Sequence, residues 1–155
     1  MKQKYYLVFM IIAVIGIILI AGCVQQFTRN EIQFIDMNEQ LTCIDSFELR
    51  DGEFIINSDQ EYQVLLDYKS PSPGCENFHL PSIDFSQYTL LGKYAEGGGC
   101  SIVFVRKIYK DESNKEITYS IKVEGKGYCE KLGMSMNWAL IPKVPSDYNV
   151  KFEVK

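Results

Sequence analysis

The chain has 155 residues, 46% of them hydrophobic, with 16 basic against 20 acidic side chains and a formal net charge of −4. That length suits one domain with a sizeable core and is too short for two comfortable ones. An acidic body with scattered charges lacks the basic stripe that phosphate binding requires, so no nucleic-acid partner is expected.

The first element in chain order is a leader. Lys2 and Lys4 precede an uncharged run from Tyr5 to Gly22, the basic and apolar regions of an export signal. The run ends in "LIAGC", Leu19 to Cys23, where Ala21 and Gly22 leave a peptidase room to bind extended backbone. This pattern resembles the lipobox of prokaryotic lipoproteins. The resemblance implies that residues 1–22 are a cleaved signal peptide and that Cys23 is lipidated with a diacylglycerol carrying palmitate-type chains. Cleavage would remove two lysines and take the net charge from −4 to −6. The alternative is a retained transmembrane anchor, because about 18 consecutive apolar residues can cross a bilayer. Both readings put the body on the extracytoplasmic side of the cell membrane.

Residues 23–30 read as the lipidated N-terminus and a short polar tether, and residues 31–155 as one domain without repeats. Within it "EFIIN", Glu53 to Asn57, is a short β-type run. Ser58 and Glu61 then form an S-x-x-E capping box, and Tyr62, Leu65 and Leu66 fall on one helix face ending near Tyr68. "SPSPGC" stops the helix, because Pro71, Pro73 and Gly74 cannot continue it. A rigid turn into Cys75 explains that segment better than a proline-rich ligand does.

Beyond Pro81 the pattern is β almost throughout. "YTLLGKY" at Tyr88 to Tyr94 and "CSIVFVRKIY" at Cys100 to Tyr109 predict strands, and in "EITYSIKVE" Ile117, Tyr119, Ile121 and Val123 alternate with polar residues. The loop "KDESNK" makes the last two runs a hairpin. "MSMNWALIP" alternates Met134, Met136, Trp138 and Leu140, and "NVKFEVK" alternates Val150, Phe152 and Val154.

Apart from Cys23 the chain has Cys43, Cys75, Cys100 and Cys129, an even number in an exported protein, which predicts two disulfides. Pairing Ile108 with Ile117 in the hairpin sets Cys100 opposite about Gly125 and near Cys129. The expected bridges are therefore Cys100–Cys129 and Cys43–Cys75, each contributing about 3 to 4 kcal/mol in the loop-closure view. None of the four shows CxxC or CxxH spacing, and with His79 as the only histidine no metal site or cofactor is expected.

Catalytic motifs are also missing from the sequence. "EGGGC", Glu96 to Cys100, lacks the Gly-Lys-Ser/Thr ending of a phosphate loop and leads into a strand, so it reads as a flexible loop. There is no G-x-S-x-G elbow, and any serine triad would have to use His79, which sits in the proline-flanked "ENFHLPS". Asp45, Glu48, Asp51 and Glu53 read as turn and edge-strand charges. Several tyrosines fall on inward faces, while Tyr94 and Tyr109, beside loops, are candidates for a binding platform.

From "LLGKYAEGGGCSIVFVRKI" through "YSIKVEGKGYC" to "WALIPKVPSDYNVKFEV", with "IPK" at Ile141 to Lys143 before the last strand, the chain resembles the C-terminal domain of PrcB-type protease-complex proteins. The resemblance implies an accessory binding role beside an exported protease and supplies no catalytic residue. The expected architecture is α+β, mainly an antiparallel sheet or open barrel with one main helix. The expected function is a non-enzymatic, lipid-anchored module that binds another macromolecule. A small-ligand carrier is the alternative, and a hydrolase built on His79 comes third.

Overall fold

The computed structural model describes residues 29–155, so the leader, Cys23 and the start of the tether lie outside the described residues. Two four-stranded sheets form the body. The first has the order β1 (Arg29–Ile32), β5 (Ser101–Asp111), β6 (Glu116–Lys126), β8 (Asn149–Val154). The second has the order β2 (Ile35–Asp36), β7 (Leu132–Pro142), β4 (Tyr88–Gly98), β3 (Glu53–Ile56). All pairings are antiparallel except β6 with β8. The expected mainly antiparallel α+β architecture holds, but the strands make two sheets and close no barrel.

The second sheet is buried on both faces, which explains why consecutive residues such as Leu90 and Leu91 of β4 and Trp138 to Ile141 of β7 are all buried. One face sends Leu91, Ala95, Ala139 and Ile141 against Ile108, Ile117, Tyr119 and Ile121 of the first sheet. The other sends Leu90, Tyr94, Met136, Trp138 and Leu140 into a layer built by Met37, Leu41, Ile44, Leu49, Tyr62, Leu65, Ile83 and Phe85. Three layers result: sheet, sheet, and a cover of one helical segment with irregular chain. Gly92 faces Trp138, and a Cβ there would lie within 2.8 Å of Trp138 Cη2 and nearer still to Cζ3 and Cε3. The absent side chain is what lets the only tryptophan lie flat on β4.

The helical segment runs for ten residues, as α1 (Asp59–Gln63) and then a 3-10 stretch from Val64 to Tyr68. Ser58 Oγ accepts from Glu61 N at 3.3 Å, the expected cap. Glu61 reaches back one residue further than in an ideal box, accepting from Asn57 N at 2.7 Å. The 3-10 geometry corrects the expected face. Three residues per turn line up Tyr62, Leu65 and Tyr68 and rotate Leu66 outward, and Leu66 is exposed.

Three further expectations are corrected. Arg29 and Asn30 are not tether, because they pair with Asp111 and Lys110 in β1, so the domain starts before Glu31. The β5–β6 register is shifted by two residues: Ile108 faces Tyr119 and Lys110 faces Ile117. The strands run on to Asp111 and Glu116, since the Asp111 carboxylate ties the turn by accepting from Asn114 N and Nδ2, each at 3.0 Å, and Lys115 takes a φ of 50°. A shift of two preserves which face is buried.

The glycine run, finally, is not a flexible loop. Glu96, Gly97 and Gly98 belong to β4, where a Cβ on Gly97 would strike Val123 and one on Gly133 would lie 2.6 Å from Ile102 Cδ1. These glycines bring the two sheets together at the end where Gly99 and Cys100 carry the chain from one sheet to the other. Cys100–Cys129 bridges that corner to the return crossing between β6 and β7, and Cys43–Cys75 pins the covering layer. Both pairings are the expected ones.

Candidate functional site

The two sheets end differently along the side where the chain crosses from β1 to β2. On the second sheet, β2 pairs only with Leu140 and Ala139, and side chains cap the next stretch of β7. Asn38 Oδ1 accepts from Trp138 N at 2.6 Å, and Ser46 Oγ accepts from Met136 N at 3.1 Å. Between the sheets, the Arg106 guanidinium lies over Phe34, donates from Nη1 to Asp36 Oδ1 at 2.9 Å, and pairs with Asp36 Oδ2. This contact holds the Asp36 carboxyl below the ordinary aspartate value of 3.8, although partial burial pulls the other way. It ties β5 of one sheet to β2 of the other.

On the first sheet the same side is bare. Val123 N donates to Lys155 O and Lys155 N to Ile121 O, so odd-numbered β6 residues face β8 and even-numbered ones face β5. Lys122 and Glu124 lie opposite Val105 and Val103, so odd-numbered β5 residues bond to β6. The N–H and C=O groups of Ile102, Phe104 and Arg106 therefore point to the open edge. β1 covers only Ile108 to Asp111, and no strand lies beyond Ser101 to Lys107 among the described residues.

Edges elsewhere carry the devices that discourage pairing with another chain. β3 is four residues long and has Glu53 on it, held by Lys93 at 3.1 Å, while β8 presents Lys151 and Glu153. "SIVFV", Ser101 to Val105, has no charge and no proline. Ile102 and Phe104 turn inward, whereas Val103 is 50% and Val105 36% exposed on the outer face. An uncharged β-forming stretch with unpaired backbone and exposed valines is suited to adding a strand from another chain.

A second concavity lies at the opposite side of the body. Between β3 and the start of β8, Ile55, Asn57, Lys143, Val144, Tyr148 and Val150 line an open groove of about 420 Å³. Its only cation, Lys143, donates from Nζ to Asn57 O at 3.0 Å.

The residues singled out in the sequence are dispersed. His79 is exposed in irregular chain. Asp45 accepts from Phe47 N at 2.8 Å, Asp51 occupies a turn at φ 65°, and Glu53 sits on edge strand β3, so these carboxylates serve separate local ends. Among the described residues no group of three or more His, Cys, Asp or Glu converges in a way that could hold a metal. Tyr94 is buried, its hydroxyl donating to Glu96 Oε2 at 2.7 Å beside Arg50, and so forms no platform, whereas Tyr109 lies half-buried on the outer face of β5. No helix among the described residues is long and apolar enough to cross a membrane. The open edge itself was missed in the sequence. Its signal was the lack of polar alternation over "SIVFV" compared with "EITYSIKVE". No family model, curated protein or solved structure matches this chain.

Proposed function

We propose that this protein is a lipid-anchored, extracytoplasmic binding module that recruits another protein by pairing its backbone with the open edge of β5. The observation that carries this reading is the uncharged, unpaired edge from Ser101 to Val105. Anchoring through Cys23 after removal of residues 1–22 rests on the lipobox-like "LIAGC". The resemblance of the last strands to PrcB-type proteins supports a partner in an envelope protease complex. The module contributes binding to that complex and no catalysis. The groove beside Lys143 favours a second reading, a small-ligand carrier.

The test is affinity capture from native membranes with wild type and with Val103→Lys/Val105→Lys. Both valines point outward, so the double variant adds charge to the edge without entering the core. Wild type is expected to retain a stoichiometric protein partner that the variant loses. Equal capture by both proteins, or none by either, refutes the edge as the binding site.

A further inference from the structure

The outer face beside the open edge specifies the chemistry of the strand it accepts, and this step rests on the binding mode proposed above. We infer that the partner segment is an extended peptide with two apolar residues at alternate positions, flanked on each side by a carboxylate. Its apolar pair would lie opposite Val103 and Val105, the exposed residues of the edge.

The flanking charges follow from the lysines around that pair. Lys126 stands opposite Ser101 on β6 and makes no ion pair among the described residues. Because Ser101 is small, the Lys126 side chain has a path across it to the added strand. At the other end Lys107, Lys122 and Lys155 surround a shallow depression of about 320 Å³ floored by Val105 and Ser120. Their present partners are exposed glutamates: Glu31 at 3.0 Å, Glu124 at 2.9 Å and Glu153 at 2.6 Å. Exposed pairs of this kind contribute little and exchange readily for an incoming carboxylate. Thus an overall acidic protein has positive groups at both ends of this uncharged edge. A basic segment would be repelled there, which gives selectivity as well as affinity.

Two synthetic probes decide the matter: the labelled peptide E-T-V-T-V-T-E and its counterpart K-T-V-T-V-T-K, titrated by fluorescence anisotropy against the full-length chain in detergent. The acidic-flanked peptide is expected to bind at least about tenfold tighter at low salt, with the gap narrowing at high ionic strength. Lys107→Glu/Lys126→Glu should invert that preference, and Val103→Lys/Val105→Lys should abolish binding of both peptides. If the two peptides bind equally and only the valine variant loses them, the edge stands as a strand acceptor and the acidic requirement is overturned. If neither binds, both the edge and the requirement fall. Sedimentation of the protein alone is the last arm. A dimer that dissociates on Val103→Lys/Val105→Lys would make a second copy the occupant and overturn the acidic partner.

Discussion

Replacing Gly92 by alanine tests the three-layer packing at its centre. The new Cβ would lie within 2.8 Å of Trp138 Cη2 and closer to two other ring carbons, far inside van der Waals contact. Trp138 is 1% exposed and is backed by Phe54, whose ring centroid is 5.5 Å away, so moving the indole off β4 pushes it into packed neighbours. Overpacking of this kind costs about 1–3 kcal/mol. Gly→Ala also stiffens the unfolded chain, which returns about 0.4–1 kcal/mol. The net expectation is a loss of about 1–2 kcal/mol, or a Tm lower by roughly 4–8 °C for a domain of this size. Urea denaturation with the disulfides intact measures it. Trp138 is the chain's only tryptophan, so its emission reports the packed layer directly. In a Trp138→Leu background, the same Gly92→Ala change should cost less than about 0.5 kcal/mol, because the clash is gone. An unchanged midpoint for the single variant, or the same loss in both backgrounds, would refute the account of how Trp138 is seated.

Three other outcomes are expected. Fatty-acid labelling should mark wild type and miss Cys23→Ala; equal label on both would remove the lipoprotein reading. Asp36 is held ionised in the folded state by Arg106, so its contribution to stability is present above the ordinary value of 3.8 and lost as pH falls through the lowered folded value. Asp36→Asn should therefore flatten that part of the acid-denaturation curve while lowering stability at pH 7, and a curve of unchanged shape would count against the inter-sheet pair. His79→Ala should change stability by less than about 1 kcal/mol, as for other exposed substitutions, and leave partner capture intact. An ester or peptide hydrolysis activity that disappears with this change would favour the hydrolase.

How much of this was legible in the sequence depended on whether local pattern or long-range pairing decided the outcome. The Ser58 cap and the β5–β6 hairpin rest on residues near one another or joined by a short turn; the hairpin set Cys100 near Cys129 and left Cys43 for Cys75, 32 residues away, so all were readable. Leu66 was misassigned because the segment tightens from α to 3-10 after Gln63, which keeps Tyr62 and Leu65 in the cluster with Ile83 and Phe85 and turns Leu66 out. The register shift came from the Asp111–Asn114 contacts, which carried β5 two residues into the apparent loop. "EGGG" looked flexible because a glycine's purpose is invisible until something approaches it; here the approaching groups are Val123 and the opposite sheet. β1 and β2 were unreadable for a different reason. They are four and two residues long, and only their distant partners, Asp111 and Leu140, define them as strands.

The bridge from Cys100 to Cys129 encloses the whole β5–β6 hairpin in a covalent ring, since both strands and their turn lie between the two sulfurs. A protease that cut the exposed turn at Ser113 would open this ring without releasing a fragment. The halves would stay joined through the disulfide and zipped along eleven paired positions. On a gel the nick would be silent until a reductant was added. This exposed turn could thus be severed while the open edge of β5 kept its shape.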